Sequence, residues 1–244
     1  FVTKQKRLSD RNDSQMHRAI IRNIAIASLL LVAVGNAYAQ KRKIVAVKDT
    51  VKVAFLNGIY VYADLIGAYQ MLQSDHGQWQ GGVRVNLKDR YFPAVEAGLG
   101  KADMKETYTP DLKYKTKAPF FRIGCDFNIL NNKHDIYKAF AGFRYGFTAF
   151  NYDIITTNPE YTEDNKTVPA YIAYNNQHGT LHWIEGVIGV DAKIWGPLHL
   201  GWDVRYRRRL AKKYDTTSEP WHVPGYGNGK STVMTANFNL TLAF

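Results

Sequence analysis

The end of the chain alternates without a break. Met234, Ala236, Phe238, Leu240, Leu242 and Phe244 are apolar, while Val233, Thr235, Asn237, Asn239, Thr241 and Ala243 between them are mostly polar or small. Successive side chains of a strand point to opposite faces, so this segment reads as a strand with one greasy and one polar side. A helical period would mix the two sets. The same pattern recurs seven times upstream, at about 59–69, 78–87, 92–100, 120–129, 137–150, 181–194 and 198–210. In the fourth of these, Phe121, Ile123, Cys125, Phe127 and Ile129 alternate with Arg122, Gly124, Asp126 and Asn128; in the fifth, Phe143, Tyr145 and Phe147 alternate with Gly142, Arg144 and Gly146. Helical periodicity is hard to find after Gln40.

The connections carry a second pattern. They run at about 70–77, 88–91, 101–119, 131–135, 151–180, 195–197 and 211–230, longer and shorter in turn. A transmembrane barrel has short turns at its periplasmic end and longer loops outside. An even number of strands returns both chain ends to one side. Lipid cannot satisfy backbone polar groups, so only helices and closed barrels span a membrane. The mean hydropathy of −0.33 is too low for a bundle of membrane helices, and the 14% aromatic content is too high for a disordered chain.

Ahead of the strands, residues 24–34 read IAIASLLLVAV, preceded by Arg18 and Arg22 and followed by Ala37-Tyr38-Ala39. A positive segment, a short apolar core and an A-x-A site form a secretory signal peptide. The run is shorter than the roughly 20 residues that span a bilayer as a helix. Met16 opens the unit. The expected organisation is therefore an upstream extension over 1–15, a signal peptide over 16–39 cut after Ala39, an N-terminal periplasmic segment over 40–56 and a barrel over 57–244. Cleavage leaves 26 basic and 19 acidic residues, a net charge of +7. For an exported chain this excess suits anionic lipid head groups better than nucleic acid.

The alternation by itself leaves two orientations open. An apolar face turned outward gives a membrane barrel; turned inward, it gives a soluble lipocalin-like binding barrel. The signal peptide, the sorted loops and the terminal Phe244 select the first. A final strand ending in Phe is similar to the signal that outer-membrane proteins show to their barrel assembly machinery, and Tyr206, Phe238 and Phe244 suit interfacial girdles. The expected fold is thus all-β, an eight-stranded antiparallel up-and-down transmembrane barrel with a polar, filled lumen in the bacterial outer membrane.

In that orientation the polar face places Asp64, Glu96, Asp126, Glu185, Asp191 and Asp203 inside with Arg84, Arg122, Arg144, Lys193 and Arg205. Eight strands leave a bore that side chains fill. Buried charges must be paired, so these residues are expected to form a cross-strand ion-pair network that closes the bore rather than an open pore. Residues 205–213 read RYRRRLAKK at the outer end of the seventh strand. Arg207, Arg208, Arg209, Lys212 and Lys213 are expected to contact the phosphates of lipopolysaccharide, with Lys113, Lys115 and Lys117 adding to the same ring of charge.

Other chemistry has weaker support. A single cysteine, Cys125, excludes internal disulfides, and no HxxH or HExxH spacing points to zinc; neither metal nor cofactor is expected. A lipid A-modifying enzyme would need a rim site such as His178, His182, Ser218 and His222, but no serine lies in a G-x-S-x-G motif. The stretch 221–225, WHVPG, reads as a loop stiffened by Pro220 and Pro224. An interaction or structural barrel without catalytic residues is the leading reading.

The segments NGIYV (57–61), VNLKDRYFP (85–93), APFFRIG (118–124), GFRYG (142–146) and SEPWHVPG (218–225) make the chain resemble an uncharacterised family of Bacteroidota outer-membrane β-barrels, a domain of unknown function. The resemblance spans nearly all of the chain after the signal segment. It implies the barrel fold and transfers no catalytic residue.

Overall fold

A computed structural model describes residues 54–105, 111–163, 166–215 and 219–244. The expected signal segment, including Ala37 and Ala39, lies outside them. Eight antiparallel strands close into a ring: β1 (Leu56–Asp64), β2 (His76–Leu87), β3 (Tyr91–Lys105), β4 (Asp111–Asn128), β5 (Tyr137–Glu163), β6 (Lys166–Trp195), β7 (Leu198–Tyr214) and β10 (Thr232–Ala243). Chain neighbours pair throughout, and β1 closes on β10. A two-stranded ribbon, β8 (His222–Val223) with β9 (Gly227–Asn228), and one helix, α1 (Leu65–Gln73), complete the described elements.

The alternation decides which side faces where. Phe121, Ile123, Phe143, Ile188, Leu240 and Met234 are exposed on the outside, whereas Arg122, Arg144, Glu185 and Arg205 are almost wholly buried. The lipocalin-like orientation is therefore not the one this chain adopts. Register pairs a large inward residue with an inward glycine on the next strand: Arg122 with Gly146, Arg144 with Gly124, Asp126 with Gly142, and Asp203 with Gly189. A Cβ on Gly142 would lie 2.0 Å from Asp126 Oδ1, so volume complementarity packs the bore.

The short-turn end is held by side chains. Between β2 and β3, Lys88 and Asp89 both take positive φ, near 55° and 56°. Asp89 is fixed there by Asn86 Nδ2 at 2.6 Å, Asn57 Nδ2 at 2.8 Å and His134 Nδ1 at 2.7 Å. Burial raises its pKa, but these hydrogen bonds and Lys138 outweigh that and hold the carboxyl below its ordinary value.

Three expectations about the long-loop end need correction. The first strand was expected to reach residue 69, but it stops at Asp64 and gives way to α1, because the Asp64 carboxylate accepts from Ile66 N and Gly67 N as a helix N-cap. The expected loops at 101–119 and 151–180 are largely strand. β3–β4 and β5–β6 extend as long hairpins. In β4 the alternation simply continues, with Lys113, Lys115 and Lys117 outside and Tyr114, Thr116 and Ala118 inside. Finally, the last connection turns back into the barrel.

Candidate functional site

The mid-section of the bore is a ladder of charges. Glu96 on β3 accepts from Arg205 Nη1 at 2.6 Å, Arg122 Nη1 at 3.1 Å, Arg144 Nε at 3.1 Å and Tyr62 Oη at 2.7 Å. Asp126 receives Arg144 bidentately, both contacts at 2.7 Å. Asp203 accepts from Arg205, and from Asn237 and Asn239 on β10 at 2.7 and 2.6 Å. Glu185 lies 2.7 Å from Arg122 Nε, 3.0 Å from Arg207 Nε and 3.3 Å from Arg205 Nη1. Bidentate, multiply satisfied pairs of this kind are what a buried ion network requires.

Not every expected residue joins. Arg84 stands 3.9 Å from Asp126 and rests on the Tyr62 ring, 4.4 Å to its centroid. Asp64 is a helix cap and pairs with no cation among the described residues. Asp191 sits apart nearer the short-turn end, 2.6 Å from His199 Nδ1. Lys193 keeps its inward register opposite His199, but it lies at the open short-turn end of the bore, where it is exposed and borders a polar vestibule rather than the charge ladder. The basic run places Arg207 at the rim, but it is 1% exposed, since the odd positions of β7 from His199 to Arg207 are all buried inside. Gln80 and Tyr62, which contact Arg122 and Glu96, carry no charge, so the pattern of charges along the strands does not mark them.

The ladder holds down the last connection. Arg122 Nη2 donates to Gly225 O at 2.6 Å, Arg207 Nη1 to Tyr226 O at 2.9 Å and Arg209 Nη1 to Gly229 O at 3.2 Å. Tyr114 Oη donates to His222 O. Val223 and Tyr226 are fully buried among Phe120, Phe150, Leu181, Trp183 and Tyr152, so an apolar plug sits above the ionic layer. Inside it, burial, with help from His76 and Arg207, drives the His222 pKa down to about 4. Between Arg84, Arg144, Arg205 and Asp203 the space left is about 10 Å³, room for one water. At the short-turn end Tyr60, Asp89, His134, Lys138 and His199 border an open polar vestibule of about 310 Å³.

Around the outer rim, Arg208 and Lys213 are exposed, Lys212 contacts Glu219, and Arg209 lies 3.5 Å from Glu219. Of the residues of the enzyme reading, His182 and His222 lie on opposite sides of the barrel wall. His182 faces outward against Tyr145 Oη at 2.6 Å, whereas His222 is buried inside; Ser218 is outside the described residues. Among the described residues no group of three or more His, Cys, Asp or Glu is placed to hold a metal ion.

Residues 21–244 match the model of a family described as Domain of unknown function (DUF6048). No curated protein matches the chain. Similar solved structures include a major outer membrane protein from Thermus thermophilus, 11% identical, with 77% of this chain and 98% of that one covered and a TM-score of 0.37. Another is CarO2 from Acinetobacter baumannii, 9% identical, with 77% and 97% covered and a TM-score of 0.40.

Proposed function

The chain belongs to this family of domains of unknown function, and for it we propose a closed, non-catalytic barrel of the bacterial outer membrane, of structural or interaction type. One observation carries the reading. The exterior of the ring is apolar while its charges are sealed inside, an arrangement that hydrocarbon favours and water does not. The short-turn end would then face the periplasm, and the hairpins with α1 the exterior. Export would use residues 16–39, cut after Ala39, in an envelope of the Bacteroidota type, with insertion by the barrel assembly machinery.

The rim supports contact with lipopolysaccharide. Lys115 and Lys117 stand exposed on the outward face of β4, in line beyond Phe121 and Ile123, and Arg208 stands likewise beyond Tyr206 on β7. Cations bordering an apolar band face the depth at which lipid phosphates lie. Cell fractionation tests the reading: the protein is expected in the outer-membrane fraction with an N-terminus at Gln40, and recovery in the soluble periplasm would refute it. Planar-bilayer recordings should show no stable channel. Charge reversal at Lys115, Lys117 and Arg208 together should weaken co-purification of lipopolysaccharide; unchanged retention would remove the rim from the proposal.

A further inference from the structure

In a closed barrel every wall strand has a strand on each side, and one stretch of this wall lacks that. β1 pairs with β10 as far as Asp64↔Asn239 and with β2 as far as Ala63↔Gly81. Beyond those pairs β2 continues from Gln80 to His76 and β10 from Phe238 to Thr232, with strand partners only on their far sides, β3 and β7. Where β1 would have run on, α1 packs against both edges.

The local sequence is built for this substitution. A Cβ on Gly67 would lie 2.4 Å from Gln78 O, and one on Gly77 2.6 Å from Met71 N, so two glycines let the helix lie directly on β2. The Asp64 carboxylate ties the junction. Besides capping α1 it accepts from Gln80 Nε2 on β2 and from Phe238 N on β10, both at 3.2 Å.

The other side of the helix is bare. Leu65, Tyr69 and Leu72 are 41%, 65% and 85% exposed and share one face at i, i+4 and i+7. The helix, LIGAYQMLQ, contains no charged residue. Trp79 on β2 and Met234 on β10 flank it on the outside, so the face continues the apolar band of the strands.

We propose that α1 is a segment of the barrel wall, and that its Leu65–Tyr69–Leu72 face is covered by the acyl chains of membrane lipid. This rests on the transmembrane reading above, and the experiment separates the two. In a Cys125→Ala background, spin labels are placed by Leu72→Cys on the helix and Phe121→Cys on mid-barrel β4, in nanodiscs of phosphatidylethanolamine and phosphatidylglycerol. Collision rates with oxygen and with a water-soluble nickel chelate are compared. Both labels are expected to favour oxygen severalfold. A Leu72 label that favours the chelate, beside a Phe121 label that favours oxygen, overturns the helix proposal and leaves the barrel intact. Chelate preference at both sites overturns the barrel reading itself. Dipolar broadening between Leu72 labels would mean that a second copy covers the face, and would also overturn the proposal. Should Leu72→Cys fail to fold, Tyr69→Cys reports on the same face.

Discussion

Arg122 Nη2 donates to the Gly225 carbonyl at 2.6 Å while the same guanidinium contacts Glu96 and Glu185, so one side chain joins the ionic ladder to the loop above it. Replacing Arg122 by Met removes a cation from two buried carboxylates and a donor from the loop. Breaking one partner of a buried network costs about 3–5 kcal/mol. We expect a matching fall in the urea midpoint in detergent, and faster hydrogen exchange over residues 219–229. Arg84→Met is the comparison, because its nearest carboxylate is 3.9 Å away and its main contact is the Tyr62 ring. That contact is worth up to about 2 kcal/mol. Equal losses in the two variants would refute the ranking of these arginines.

Gly225 sets the loop's depth. Its φ is +78°, and a Cβ there would lie 2.3 Å from Phe120 Cγ. Gly225→Ala therefore meets two obstacles, a left-handed backbone costing roughly 1–2 kcal/mol and a clash with a buried ring. We expect Tyr226 to become accessible to aqueous quenchers. Adding Phe120→Ala should recover the steric part and leave the backbone part. No recovery would place the conflict elsewhere.

The ionic layer was legible because charge alternates with grease in every wall strand but β10, and inward arginines stand between outward apolar residues, as in Phe121-Arg122-Ile123 and Phe143-Arg144-Tyr145. Alternation also locates α1's start poorly. Leu65 extends the apolar face of β1, and the capping geometry of Asp64, a property of three dimensions, ends the strand there. Arg207 was ambiguous for a related reason. Parity places it inside, its basic neighbours place it at the rim, and parity prevails because β7 keeps its register with β10 through Val233↔Arg207. The loop plug had a weaker signal still. Pro220 and Pro224 mark an ordered loop, but the carbonyls that the arginines seek are present in any sequence.

His222 gives the plug a pH dependence. Its folded pKa of about 4 lies below the ordinary 6.5, so the folded loop prefers the neutral ring. Above about pH 6.5 this has no effect on stability. As pH falls from 6.5 toward 4 the released loop takes up a proton that the seated one refuses, and seating weakens by about 3 kcal/mol in all. Below 4 both states are protonated and the loss levels off. Proteolysis of the 219–231 segment at pH 7.5, 6 and 4.5 should show steadily greater cleavage, after correction for protease activity. His222→Gln should flatten the profile. A slope that survives in that variant would assign the proton to another group.

Asp64 tests how the seam between β2 and β10 is held. Its carboxylate accepts from Ile66 N, Gly67 N, Gln80 Nε2 and Phe238 N, four donors from three elements. Losing a helix N-cap alone costs about 1 kcal/mol, and the Phe238 amide would be left without its acceptor as well. Asp64→Ala should therefore speed hydrogen exchange at Ile66, Gly67 and Phe238 by roughly tenfold or more, since each 1.4 kcal/mol is a factor of ten. The opposite wall, where β4 and β5 pair from Phe120↔Thr148 to Asn128↔Phe140, should exchange as before. Asp64→Asn keeps an acceptor oxygen and should fall between. Unchanged exchange at Phe238 in the alanine variant would show that β10 is secured at this edge by something other than the carboxylate.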